Sequence, residues 1–564
     1  MKKIYTILLG VLALLSACHD PNYVAPTAER QGFTSLKAIF TSGPFVDQEM
    51  ATLSITDDNI SRLVIPVPWF YPETSDDETD KYMTKVRVQA ELQPNCYIEP
   101  TLTLLDLTKE NHFTYTNAQG VKTPIVITGE RVKSNKCELQ AFALTNPEIA
   151  GVVDKSNRKV AIISAEDLSS CYGEAEVSAH ATISPDPSVT PLNYNEPVEF
   201  TVTAHNGVDK MVYTVIKEVP EKIPAGFNKE SVELLFNFDP VATLGMPTYD
   251  TYIGPSLAAI GGNLIICKGD GSVPEYFNGL TGVKKGEIVL GSAIAGSVAS
   301  DEADHLLIVN HAAAGEAVKI YTTSSVTAEP TLFYTYTNTT ALPMGAKMKV
   351  IGNIAEDAII TITHEGIDGV TGASTFTMLL VRGGAVVTAQ DLDISGAGLS
   401  WGSAPVNVGT VVAASTDPMD GCFESNYEPS QFTWVKADGT VGAALPSDMT
   451  GWGLNPNCLD SKQFNNRNYV ALFVVSHFPA WGMGPELYLF DVTDKSQLTG
   501  DDVTTSPALA LANRSIDWYQ TGSYSVASGD VIIAPSANGY KLYIYYYDHN
   551  SQVLGAYAAD CIKK

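Results

Sequence analysis

Beyond its first residues, this chain has no apolar run near the roughly 20 residues that a membrane-spanning helix requires. It is also short of positive charge, with 35 Lys and Arg against 63 Asp and Glu and a formal net charge of −28. Binding nucleic acid requires clustered Lys and Arg to neutralise phosphates, so that class of partner is excluded, and direct adhesion to anionic lipid is disfavoured. Cys-x-x-Cys, His-Glu-x-x-His, a phosphate-binding glycine loop and a dinucleotide fingerprint are all missing from the sequence. No residue pattern therefore calls for a metal or a cofactor, and none is expected. Cysteine is sparse as well: eight residues, one of them Cys18, leave seven that cannot all pair. A chain of this size does not need disulfides to hold a core, so mostly buried thiols are expected, with at most a bridge or two.

The 564 residues, 45% of them hydrophobic, suffice for two to four globular domains. Lys2 and Lys3 precede an apolar run from Ile4 to Leu15, followed by Leu15-Ser16-Ala17-Cys18. A basic start, about a dozen apolar residues and a small-residue junction make an export signal, too short to anchor the chain by itself. Leu-Ser-Ala-Cys looks like a bacterial lipobox, which makes residues 1–17 a signal peptide and Cys18 the lipidated first residue of the mature chain. Residues 18–32, polar and proline-bearing, read as a tether.

An alternating strand pattern opens at Phe33-Thr34-Ser35-Leu36-Lys37-Ala38-Ile39-Phe40 and recurs at Glu138 to Leu144. The ends of the two segments match more closely. Phe113 to Val121 aligns without gaps on Phe200 to Val208, each with a glycine at the tip of a hairpin. Residues 33–135 and 136–218 are thus expected to form two tandem Ig-like β-sandwich modules. An acidic insertion in the first, Pro72 to Asp80, lacks the ligand spacing of a calcium loop and reads as a solvated loop. Residues 219–229 read as a proline-containing linker. In residues 230–564, Glu233 to Pro247 aligns on Thr331 to Gly345, an offset of about 98 residues, or two units of about 49, within the range of propeller blades. Hairpin patterns follow at Tyr276–Leu290, Phe376–Thr388, Phe432–Leu445 and Leu542–Tyr557. The fold expected is all-β: two sandwich modules, then a β-propeller of six blades, with seven as the alternative, the strand near Leu234 clasping the last blade.

The hairpin Val202-Thr203-Ala204-His205-Asn206-Gly207 and the turn Tyr276-Phe277-Asn278-Gly279-Leu280-Thr281-Gly282, with the lipobox, resemble those of surface lipoproteins of Bacteroidota. These carry tandem Ig- or cadherin-like repeats of a domain of unknown function before a propeller. The resemblance implies an accessory lipoprotein of nutrient uptake, anchored in the outer membrane through Cys18 and facing the exterior. It implies a glycan ligand and an outer-membrane transporter complex as partner, and carries over no functional residue.

Gly398-Leu399-Ser400-Trp401-Gly402 fits Gly-x-Ser-x-Gly, but Pro405 and a strand pattern follow where a nucleophile elbow needs a helix. Asp and Glu are plentiful, yet nothing selects a catalytic pair, so no catalytic residue is assigned. Trp401, Trp452 and Trp518 fall between successive four-strand units, and Trp481 in a long loop that would emerge on the same face. Together with Tyr519 and Phe478 these rings could gather at one mouth and stack on sugar faces, or else pack between sheets as core. A non-enzymatic binding protein is the first expectation. A polysaccharide hydrolase or lyase, and an adhesin or structural partner, are the alternatives.

Overall fold

The computed structural model describes residues 32–563 except 57, 249–253, 368–371, 402–408, 427–430, 447–453, 477–478 and 521–527. Cys18, Trp452 and Phe478 therefore lie outside the described residues. The fold is all-β, divided into two compact units, Met1–Val219 and Pro220–Lys564.

In the first unit, two pairs of sheets each close over a hydrophobic core. Strand Phe33–Phe40 joins Glu49–Ser54, Val86–Leu92 and Leu104–Leu105 in one sheet, and Arg62–Pro68 joins Lys122–Val132, Asn111–Thr116 and Tyr97–Glu99 in the other. Alternation decides which side chains meet: Leu63, Ile65 and Val67 are fully buried while Arg62 and Pro66 point outward. Burying side chains of this size contributes about 1.5–3 kcal/mol each, which offsets the ordering of the strands. The second module repeats the scheme with a three-stranded sheet around Leu139–Thr145 and a five-stranded sheet around Lys210–Glu218. Each module contains one parallel pair, Arg62–Pro68 with Lys122–Val132 and Lys159–Ile163 with Lys210–Glu218. Gly120 and Gly207 sit at the two aligned hairpin tips with φ of 78° and 74°, a conformation that glycine adopts without strain.

Among the described residues of the second unit, strands assemble into six four-stranded antiparallel sheets. Five are contiguous in sequence, spanning 256–287, 297–337, 344–393, 410–446 and 454–513. The sixth combines Gly529–Pro535, Lys541–Asp548 and Val553–Asp560 with Glu233–Phe238, which pairs along the last strand as the clasp expected there. Burial falls from the first strands of a sheet to the last. Every residue of Ala358–His364 is buried, whereas Ala385–Asp393, at the other edge of the same sheet, is largely exposed. The inner strands consequently read as continuous apolar runs and the outer ones as mixed. The leading strand of each sheet packs beside that of the next, and the leading strand of the sixth beside that of the first.

Two segments differ from the sequence reading. The acidic insertion is docked rather than solvated, because Glu73, Asp77 and Glu78 pair with Lys136, Lys81 and Arg131. The segment after Val219 is strapped to the second unit: Ile223 N donates to Cys561 O at 2.7 Å, and Phe227 is buried in that unit's core. His364 ends a buried strand and bonds the Thr375 and Thr377 hydroxyls at 2.7 and 2.9 Å. Among the described residues the seven cysteines are free thiols, all but Cys96 buried.

Candidate functional site

The aromatic residues picked out in the second unit do not share one environment. Trp401 is 3% exposed, packs with Phe376, Leu399 and Val411, and donates its indole N–H to His364 O at 2.7 Å. It is a core residue. Trp518 is half-buried and lies flat over Gly484, where any side chain would collide with the indole. Tyr519 is 42% exposed and donates its hydroxyl to Asn237 O at 3.1 Å, while Trp481 is 58% exposed on a short 3-10 turn. What remains of the expected aromatic face among the described residues is Trp481, Tyr519 and the rim of Trp518. Ser400 of the Gly-x-Ser-x-Gly match sits between the 3-10 turn Ser395–Ala397 and the bridge from Trp401 to Ala373, not at a strand-to-helix turn.

The better-built site lies in the first unit, where the two modules meet. Arg62–Pro68 and Lys122–Val132 run parallel and end side by side at Pro68 and Val132. The chain beyond each end forms one wall of a cleft of about 580 Å³, lined by Trp69, Phe70, Tyr71, Lys133, Ser134 and Asn135. This falls within the size range of small-molecule sites. The second module adds His180 and His205 to the lining.

Ring contacts fix this geometry. Phe70 stacks on His180 at 4.0 Å between centroids and on His205 at 5.4 Å, and Trp69 meets His205 edge-on at 6.1 Å. The Arg131 guanidinium lies 3.8 Å from the Trp69 ring centroid, held by Trp69 O at 3.1 Å and the Glu78 carboxylate at 2.7 Å. The Lys133 ammonium lies 5.1 Å from the same ring. Such cation–π contacts are worth about 0.5–1 kcal/mol each at exposed sites, so they orient the indole more than they stabilise the fold. Polar bonds tie the modules together: His180 Nε2 to Ser75 O at 3.0 Å and Asn206 N to Ser134 O at 3.1 Å. Glu73 accepts from Lys136 at 2.5 Å and Ser134 at 2.6 Å, and these bonds hold its carboxyl below the usual range. Burial, together with the positive charge of Lys133 nearby, lowers the His205 imidazole below its ordinary value, so it is neutral at physiological pH.

This cleft joins half-buried aromatic rings, neutral donors and acceptors, and a lysine that has no carboxylate partner among the described residues. Chemically it can stack an apolar ligand face, hydrogen-bond hydroxyls and pair with an anion. Among the described residues no group of three or more His, Cys, Asp or Glu side chains is placed to hold a metal. Sequence reading missed the site, because its residues come from four separated segments without periodicity. One signal was available: His205 stands inside the Val-Thr-Ala-x-x-Gly hairpin, where the first module's aligned hairpin has Gln119 nearby but no histidine.

Residues 234–560 match the profile of a family described as "Domain of unknown function (DUF8500)". The chain belongs to the DUF8500 family. Two further domains of unknown function match the first unit, DUF5018 over residues 13–129 and DUF8499 over residues 139–217. No curated protein matches the chain. Among solved structures, a DUF4623 family protein from Bacteroides eggerthii DSM 20697 is 16% identical, covering 76% of this chain and 99% of its own, with a TM-score of 0.41. A candidate secreted protein from Bacteroides fragilis NCTC 9343 is 14% identical, covering 15% of this chain and 98% of its own, with a TM-score of 0.12.

Proposed function

We propose that this chain is an exported, lipid-anchored binding protein that captures a glycan without transforming it. The observation that carries the reading is the cleft at Trp69, Phe70, His180 and His205, with ring faces on its walls and amide and hydroxyl groups at its rim. Aromatic faces stack on the apolar faces of sugars while neighbouring polar groups satisfy their hydroxyls. Trp481 and Tyr519 on the second unit offer an exposed stacking surface of their own.

The two sandwich-like modules are taken as Ig-like spacers, and the six sheets of the second unit as the blades of a propeller. Supporting the latter are the contacts between successive leading strands, which run from the first sheet to the sixth and back to the first. The shared sixth sheet, built from both ends of the unit, is the clasp by which a propeller ties its first and last segments together. The anchor at Cys18, the outer-membrane address and an uptake complex as partner rest on the sequence of residues 1–18 and the resemblance drawn from it. Among the described residues no helix is long and apolar enough to cross a membrane.

Titration of the full chain against a polysaccharide panel tests the binding reading. A ligand should emerge whose affinity falls about two- to tenfold in Phe70→Ala, the worth of one ring contact. Affinity unchanged in Phe70→Ala and Trp69→Ala would move the site elsewhere. For the anchor, fatty-acid labelling of the expressed chain should disappear in Cys18→Ser.

A further inference from the structure

We infer that the cleft between the two modules selects a sugar ring bearing a carboxylate, the uronic-acid class, over its neutral counterpart. The inference rests on the reading of that cleft as a glycan site and adds the charge of its ligand.

The whole chain carries nearly two acidic residues for each basic one, but the cleft reverses this balance. Lys133 and Lys136 line it against a single acid, Glu73. That acid is already occupied, accepting from Ser134 Oγ at 2.6 Å and Lys136 Nζ at 2.5 Å. The Lys133 ammonium has no carboxylate partner among the described residues and lies over the indole of Trp69. A ligand seated against that indole thus brings its substituents within reach of an uncompensated positive charge on a flexible stem. A charge-assisted bond there is shorter and about twice as strong as one to a neutral hydroxyl. The chain's remaining negative charge is screened beyond roughly 8–10 Å at physiological salt. The neutral imidazole of His205 and the Asn135 amide are left for hydroxyl groups, so the site reads both features of a uronic acid.

Calorimetric titration of the full chain with trigalacturonic acid and with its methyl ester isolates the charge, because the two share rings and stacking faces. The acid should bind at least about tenfold more tightly than the ester. Lys133→Gln should abolish that preference while leaving ester affinity in place, and Phe70→Ala should weaken both ligands. Lys133 is exposed, so Lys133→Gln should keep the parent's melting temperature. Equal affinity for acid and ester, or a preference that survives Lys133→Gln, would overturn carboxylate selection and leave the glycan reading standing. If neither probe binds but a neutral glycan does, selection again fails alone. If no saccharide binds at all, the glycan reading fails with it.

Discussion

Lys349 Nζ stands 2.9 Å from Asp530 Oδ1, and both side chains are buried where the third and sixth sheets of the second unit approach. The other Asp530 oxygen accepts from Leu257 N of the first sheet at 2.9 Å. Lys347, 3.4 Å from the same carboxylate, donates to Pro255 O and Gly529 O at 2.6 and 2.7 Å. One carboxylate thus ties three sheets together across a long stretch of sequence. Burial alone would raise the Asp530 pKa, but the two lysines outweigh it and the carboxyl stays below its usual value.

Asp530→Asn should be far more damaging than its size suggests, because it strands two buried ammonium groups. A loss of about 3–5 kcal/mol is expected in urea unfolding at pH 7. The sign with pH follows from the lowered pKa. The carboxylate's contribution is present above the unfolded value and is lost as pH falls through the folded one, so parent and variant should converge in acid. A difference below about 1 kcal/mol at pH 7 would mean that the network contributes little.

Glu424 presents the opposite case. It is fully buried, and neither carboxylate oxygen has a hydrogen-bond partner among the described residues. Burial pushes its pKa well above the usual value, so it stabilises the fold only while protonated. Its effect is therefore complete below the unfolded pKa and is lost as pH rises toward the folded one. Glu424→Gln should match the parent near pH 4 and exceed it in stability at pH 8. Asp548, lifted by burial to about 6, adds the same sign in parent and variant alike, so the comparison isolates Glu424. A gap independent of pH would show that Glu424 is not the group responsible.

Strands were legible wherever side-chain alternation or a repeat carried them. Glu233–Phe238 and Thr331–Thr337, aligned in sequence, occupy the same outer position in the sixth and second sheets, because equivalent positions demand equivalent residues. Lys349 was not legible. It shares an otherwise apolar strand with Lys347, and its partner is 181 residues away. The cleft was hidden for the same reason: Glu73 read as part of a solvated acidic loop because nothing near it in sequence announces Lys136, which it binds. Trp401 could be read either way until its indole N–H was seen to bond a buried backbone carbonyl.

Thiol chemistry offers an independent check on the packing. Burial raises the pKa of Cys171 and Cys267, and pushes Cys422 up to about 12, so these thiols are protonated and poorly nucleophilic. A thiol reagent added to the native chain should therefore label Cys96 at most among residues 32–563, with the buried thiols reacting only in denaturant. Reducing agent should leave the melting temperature unchanged. Fast labelling of several thiols without denaturant would contradict the buried placement of six of them.

The tryptophans separate packing from recognition. Trp401→Ala removes a ring that is 3% exposed and leaves the His364 carbonyl without its donor, so a loss of about 3–5 kcal/mol is expected in denaturant unfolding. Because that ring presents no face to solvent, any ligand bound at the Trp69 cleft should keep its affinity in a variant that still folds. Trp481→Ala should do the reverse on stability: its ring is 58% exposed, and a change within about 0.5 kcal/mol is expected for a surface position. A drop in oligosaccharide affinity in Trp481→Ala would make that exposed ring of the second unit a sugar contact in its own right. Equal stability losses at both positions would mean that the loop carrying Trp481 is packed, and would remove it as a binding surface.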